Sequence, residues 1–486
     1  MTFSESEIRQ LFGPEAAEDE SIERLKEYYF KSSIYEQIHN DMALRILVGH
    51  KGIGKSATFK ISYEENRVKK RVVVWIRPDD IMEVCNDGSS LLQMIHDWKV
   101  GLSKIIFQEV LESVGLNAES ESIGNVLGLT GKLISRITEV FRKPISEKAD
   151  LFTVKNDVIQ TYLRNNEIYV YIDDLDRGWT GTSEGIRRIS ALLNAARDIT
   201  NDNKGLCIRI SLRADVYFLV RTSDESTDKI EGSVIWYSWS QHQILCMLAK
   251  RILSFHGKNI SEKALAKLPQ FKIAEYYNTV FEDRFHGRGK WSDVPIHKVL
   301  ASMIRRRPRD LVKLCTLAAR TARENGHELI TTDDWMDNFD YYSQERLQDT
   351  VNEYRSELPE IERLLLGMKP SNRERRTADE FIYSTEDLFK KIEIIKGKAP
   401  FHFAKNTVAT TQELAAFLYK INFLVARKKV EGGDAIDRRY FEDNKYLSNK
   451  FIDFGYKWEV HPAFRWALYP DSGFEIYNTL SIDNEV

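Results

Sequence analysis

The stretch Leu44-Arg45-Ile46-Leu47-Val48-Gly49-His50-Lys51-Gly52-Ile53-Gly54-Lys55-Ser56 decides how this chain folds. A short apolar run stops at Gly49, glycines recur at 52 and 54, and a helix-compatible segment runs from Lys55 to Asn66. The reading is strand, glycine loop, helix. Phosphate binding needs that order, because glycines let backbone N–H groups approach the phosphates and the helix N-terminus adds unpaired donors and partial positive charge. Gly49, His50, Lys51, Gly52, Ile53, Gly54, Lys55, Ser56 and Ala57 are therefore the candidate nucleotide-binding residues. Lys55 is placed to reach β- and γ-phosphates and Ser56 to coordinate magnesium through its hydroxyl. The bare pattern arises by chance in roughly one or two of a hundred chains this long, so its strand and helix flanks carry much of the weight.

A second buried-strand run, Ile168-Tyr169-Val170-Tyr171-Ile172, ends in Asp173-Asp174-Leu175-Asp176-Arg177. Acidic residues thus crowd the carboxyl end of a strand, where an open α/β sheet places its ligand crevice. Asp173 is the candidate magnesium-side acid and Asp174 the candidate for orienting or deprotonating an attacking water. Asp176 and Arg177 read as a local ion pair. Further strands are expected at Val72–Ile76, Leu206–Ile210 and Val234–Tyr237, with a helix from Gly185 to Asp198. Strands alternating with helices predict a parallel α/β sheet. Ser211 and Arg213 emerge at the end of the fourth run as the two candidates for sensing the γ-phosphate, and Arg213 has a second reading as an ion-pair partner of Asp215.

These residues resemble the additional-strand P-loop ATPases, and among them the AAA+-related STAND and KAP families. Gly49–Ser56 looks like Walker A, Ile172–Arg177 like the extended Walker B, and Ser211-Leu212-Arg213 like the sensor-1 region. Val234 to Arg251 resembles the strand-to-lid transition of those families. The likeness runs over residues 28 to 320. It implies ATP and magnesium as ligands, hydrolysis, and an arginine at the start of a lid helix that senses the γ-phosphate. Arg309, in Arg305-Arg306-Arg307-Pro308-Arg309-Asp310, fits that place best. The same basic cluster also reads as a solvated face or as a set of phosphate contacts to nucleic acid. Two departures stand out: Asp174 occupies a position usually glutamate in ring-forming AAA+ enzymes, and the transmembrane insertions common in KAP proteins have no counterpart in the sequence.

The fold class expected is α/β: a parallel-sheet P-loop NTPase core, a helical lid and a C-terminal α+β winged-helix-like domain. The boundaries read as residues 1–245 for the core with a helical insertion near 91–163, 246–345 for the lid, and 346–486 for a linker and the last domain. That domain's pattern is a helix at Thr411–Lys420, a strand at Ile421–Ala426, a Gly432-Gly433 turn and a strand at Trp458–Val460. Arg427, Lys428, Lys429, Arg438 and Arg439 lie on the expected wing, offset by Glu431, Asp434 and Asp437. Docking of DNA or of protein both fit this mixture. His461 reads as structural.

Bulk properties bound the rest. A chain of 486 residues is too long for one core and predicts about two to four domains. Apolar residues at 42% and charged residues at 29% are those of a soluble globular protein. Lysine plus arginine, 70, nearly balance aspartate plus glutamate, 73, so a global basic coat for nucleic acid is excluded. The four cysteines, Cys85, Cys207, Cys246 and Cys315, have no metal-like spacing and point to a reducing cytoplasm. No stretch approaches the roughly 18 apolar residues of a membrane span. The leading expectation is an ATP-binding and hydrolysing switch that forms homo-oligomers and engages a separate partner protein. By resemblance its setting is prokaryotic antiviral defence. Two alternatives stand beside it: an initiator-like ATP-dependent DNA-binding protein, and an ATP-stabilised scaffold without turnover.

Overall fold

Five mainly apolar segments, each long enough for one strand, pair side by side as one parallel sheet. They are β1 (Leu44–Gly49), β2 (Val72–Ile76), β3 (Ile168–Ile172), β4 (Leu206–Arg213) and β5 (Val234–Trp236), in the order β2-β3-β4-β1-β5. An additional strand, β4, therefore lies between the strand that leads into the glycine loop and the strand that ends in the acidic pair. This is the fold of the additional-strand P-loop NTPases. The computed structural model describes residues 1–81, 84, 89–113, 163, 166–177, 179, 181–223, 225–372, 374–376, 379–404, 407–429, 436–445, 447, 454–469, 476–477 and 479–481. Most of the expected insertion, including Gly124 to Gly131, and the Gly432-Gly433 turn lie outside the described residues.

The chain divides into two compact units. One comprises Ser33–His50 and Lys55–Tyr237; the other comprises Met1–Ser32, Lys51–Gly54 and Ser238–Val486. The first unit holds the sheet with helices α1 (Ser33–His39), α2 (Lys55–Val68), α3 (Leu91–Ser113), α4 (Ser183–Asp202) and α5 (Ala214–Arg221). Alternation along the strands gives each sheet face its own chemistry. Ile46, Val48, Val74, Val170, Ile172, Ile208 and Ile210 face an aliphatic layer with Met94, Trp98 and Leu102 of α3 and Leu192 and Leu193 of α4. The opposite face is aromatic: Tyr171 stacks with Trp75, centroids 6.0 Å apart, and meets Phe59 of α2 edge-on at 5.5 Å. Buried on that face, the Tyr171 hydroxyl receives a hydrogen bond from Asn66 at 2.8 Å and shares one with Ser62 at 2.8 Å. Arg209 is fully buried too. It donates to the carbonyls of Ile38 and Met42, both at 2.7 Å, and so satisfies the carbonyl end of α1.

The second unit carries α6 (Gln241–Phe255), the β6 (Arg284–His286) and β7 (Ser292–Pro295) ribbon, α7 (Ile296–Met303), α8 (Pro308–Asn325), α9 (Phe339–Tyr354) and α10 (Ile361–Gly367). Its helix ends follow the sequence. Ser240 and Gln243 form a capping box at the start of α6; Pro308 opens α8 and Gly326, at φ 72°, closes it. A four-stranded antiparallel sheet follows, made of β8 (Ile382–Tyr383), β9 (Leu424–Lys429), β10 (Ile436–Arg439) and β11 (Lys457–Val460) in the order β10-β9-β11-β8, with α11 (Thr385–Lys396) and α12 (Thr411–Lys420). The strand expected from Ile421 starts later, because Ile421 caps α12 and Asn422 turns the chain at φ 58°. The expected basic wing splits in two. Lys428, Lys429 and Arg439 are exposed, whereas Arg427 and Arg438 turn inward toward the fully buried Glu459.

A candidate phosphate-binding site

The site grows out of strand register. In β3 and β4, Ile172 lies opposite Ile210, so Asp173, just past the end of β3, comes beside Ser211 of β4; in β1 and β4, Gly49 lies opposite Arg213. Loop, acid and sensor positions thus reach the carboxyl edge of three adjacent strands. Gly52 and Gly54 have φ of 77° and 103°, values that side chains rarely tolerate. Lys55, at the start of α2, folds back so that Nζ donates to the carbonyls of Gly49, 3.0 Å away, and His50, 3.3 Å away.

Asp173 is buried and accepts hydrogen bonds from Ser211 and Ser56. Burial raises the Asp173 carboxyl above its usual range, against the pull of those hydroxyls and of Lys55. A carboxylate held out of water beside a serine hydroxyl is a hard-oxygen donor set that suits magnesium, whose charge would offset the desolvation. Asp174 is exposed, and its backbone is left-handed at φ 58°. A non-glycine residue in that conformation at a strand end is strained in the way functional positions often are.

Both readings of Arg213 meet the structure at one point: its guanidinium forms a fork with Asp215, Nε to Oδ1 at 2.9 Å and Nη2 to Oδ2 at 2.6 Å. Nη1 also reaches Asp176 at 3.3 Å. Asp176 accordingly pairs with Arg213, where the sequence suggested the neighbouring Arg177.

Within the second unit, the loop apex Lys51–Gly54 has its own partners. Glu353 of α9 accepts the Lys51 N–H at 2.8 Å through one carboxylate oxygen, and Arg307 reaches the other oxygen at 2.9 Å. Arg307 also donates to the Lys51 carbonyl at 3.3 Å, and the Trp239 indole donates to the Ile53 carbonyl at 2.8 Å. Arg309 N–H donates to the Gly52 carbonyl at 3.3 Å, and a methyl group added at Gly52 would stand 2.9 Å from Arg309 Cβ. Its Nε donates to the Glu15 carbonyl at 3.2 Å. Arg305, Arg306 and Arg307 are buried, so this basic cluster is not a solvated face. Burial works against the charge of Arg307, yet Glu353 outweighs it and its pKa is raised. Sequence reading missed Glu353, which lies about 300 residues from the loop in a charged helix with no marking pattern.

Residues 262–351 match the FunZ-associated C-terminal helical domain. An 80.3 kDa protein of Escherichia coli (strain K12) named for transposon gamma-delta is 24% identical over 392 residues, which cover 72% of this chain and 52% of that protein. The chain thus spans about half the length of this relative. Among solved structures, the CDC6P protein of Pyrobaculum aerophilum aligns at a TM-score of 0.33 and 13% identity over 96% of each chain. The ORC2 protein of Aeropyrum pernix, in ADPNP-ADP complexes, aligns at 0.37 and 11% over 94% of this chain and 91% of its own. At such values the fold rests on the strand order itself.

Proposed function

We propose that the chain binds ATP with magnesium at Gly49–Ala57, hydrolyses it, and uses the nucleotide state as a switch for self-assembly or for engaging a partner protein. The observation that carries this reading is the hydrogen-bonded trio Ser56–Asp173–Ser211 at the carboxyl edge of the sheet, in register with the glycine loop. Lys55 would exchange its two loop carbonyls for phosphate oxygens. Ser56 and Asp173 would hold magnesium, which when bound offsets negative charge on the phosphates. Asp174 would orient the attacking water and accept its proton, and Arg309, seated against Gly52, would register the terminal phosphate. Arg213 is the second sensor candidate; to act it must loosen its fork with Asp215. A setting in prokaryotic antiviral defence comes from the STAND and KAP resemblance only.

The initiator-like DNA-binding alternative loses Arg305–Arg307, Arg427 and Arg438 to burial and keeps the exposed Lys428, Lys429 and Arg439 as its phosphate contacts. Steady-state ATP turnover by the wild type and by Asp174→Asn tests the proposal. Asparagine tolerates the left-handed backbone, so the variant removes the base without removing the fold. The expected result is a loss of about 100-fold or more in turnover with ATP affinity preserved. Equal turnover in both would leave Asp174 without a catalytic role, and no turnover in either would favour an ATP-stabilised scaffold.

A further inference from the structure

Three consecutive arginines at the entry to α8 point in three directions within the second unit. Arg305 stays inside the helical bundle, donating to Asp310 Oδ2 from Nε at 2.8 Å and to the Thr350 hydroxyl at 2.8 Å. Arg306 Nη1 donates to Asp443 at 2.8 Å, and its guanidinium lies 4.3 Å from the Tyr440 ring centroid. Arg307 grips Glu353 and the Lys51 carbonyl at the loop apex. Adjacent residues of one turn therefore hold, on one side, the segment that follows β10 and, on the other, the glycine loop.

The turn is stiff. Arg306 has φ 54°, a left-handed conformation that a residue with a long side chain keeps only when its contacts over-determine it. Pro308 fixes the backbone two residues on, and α8 runs directly behind. Both ends are anchored. Asp443 accepts the Tyr440 N–H at 3.1 Å as well as the Arg306 guanidinium, and the Tyr440 carbonyl accepts the Tyr419 hydroxyl of α12 at 2.9 Å. At the other end Arg307 and Glu353 are each only 2% exposed. Neither can lose its partner without leaving a buried charge uncompensated, so a shift of the turn is felt at the Lys51 amide.

We infer that the Arg306–Arg307 turn couples the C-terminal sheet to the apex of the phosphate loop, with Glu353 as the positioning residue that holds the Lys51 amide. Its regulatory use rests on the nucleotide reading above: whatever moves the Tyr440–Asp443 segment, a protein partner docking on that sheet included, changes how firmly the loop apex is held. The physical link itself is made entirely by the chain's own residues.

Hydrogen exchange at the Lys51–Gly54 amides, measured on the full chain without nucleotide, tests this. Asp443→Asn, a substitution at a partly exposed side chain remote from the loop in sequence, should speed exchange at Lys51 by about threefold or more, and Glu353→Gln by more than that. The double variant should exchange no faster than Glu353→Gln alone, because both act along one path. Arg306→Lys, which keeps the charge but loses the planar guanidinium over Tyr440, serves if Asp443→Asn does not fold, with the same expectation. Wild-type exchange in the variant used, or effects that multiply in the double variant, overturns the coupling. A parallel measurement of release of a fluorescent ATP analogue with magnesium separates the two claims. Faster apex exchange in a chain that binds no ATP removes the nucleotide reading and keeps the coupling, while ATP binding with unchanged apex exchange removes the coupling alone.

Discussion

Two histidines show how strongly single residues are conditioned by their surroundings. Burial, with Lys298 adding to it, lowers the His297 pKa to about 4 from 6.5. His461 is driven well below its usual range by burial, then by Arg438. Its ring accepts the Ala463 N–H at Nδ1, 3.1 Å away, and meets the Tyr440 hydroxyl at 3.0 Å. In both, the folded chain binds protons less readily than the unfolded chain, so stability is full above pH 6.5 and falls below it, for His297 as pH drops toward 4. For His297 alone the loss is about 3 kcal/mol, at ~1.36 kcal/mol per tenfold change in proton affinity. Melting temperature measured across this window should fall with pH, and less so in His297→Gln; a flat profile in the wild type would contradict the assignment. At this scale the sequence was partly legible. Asp173, Lys55 and Ser56 stood out because glycine spacing and strand ends mark them, and His461 read correctly as structural. Ser211 was visible as a polar residue leaving a strand, but its hydrogen bond to Asp173 depends on register, which no local pattern states.

Elements were easier to read than their partners. β2, β3 and α12 end at the residues expected, and β1 and α2 lie within two residues of the expected ends, since apolar runs between polar stretches define strands and caps define helices. The C-terminal sheet was harder because its ladder is pinned by charge. Arg427 of β9 and Arg438 of β10 converge with Arg465 on Glu459 of β11, Arg438 at 2.8 and 2.9 Å and Arg465 at 2.5 Å. Burial alone would raise the Glu459 carboxyl, but Arg438 and Arg465 outweigh it and hold it well below the usual carboxylate range. In the sequence Arg427 and Arg438 read as part of an exposed wing that fits DNA or protein docking. Glu459→Gln should destabilise this sheet by ~3–5 kcal/mol, since it strands buried guanidinium groups. Loss of exchange protection in β9, β10 and β11 would show it, and unchanged protection would mean that the carboxylate is not what joins these strands.

Across the whole molecule, the glycine loop is the feature from which the rest follows. Its ends belong to the sheet unit and its apex, Lys51–Gly54, to the helical unit, where Glu353, Arg307, Arg309 and Trp239 receive it. The parallel sheet was implied by the alternation of strands and helices and the inserted strand by the resemblance to additional-strand ATPases, whereas the long-range hold on the apex was not legible. No helix among the described residues is long and apolar enough to cross a membrane. The most direct test of the central claim is calorimetric binding of ATP, with and without magnesium, to the wild type, Lys55→Ala and Asp173→Ala. The account predicts magnesium-dependent binding by the wild type, weakened about 100-fold or more in Lys55→Ala and stripped of its magnesium dependence in Asp173→Ala. ATP binding that survives unchanged in Lys55→Ala, or none in the wild type, would contradict it.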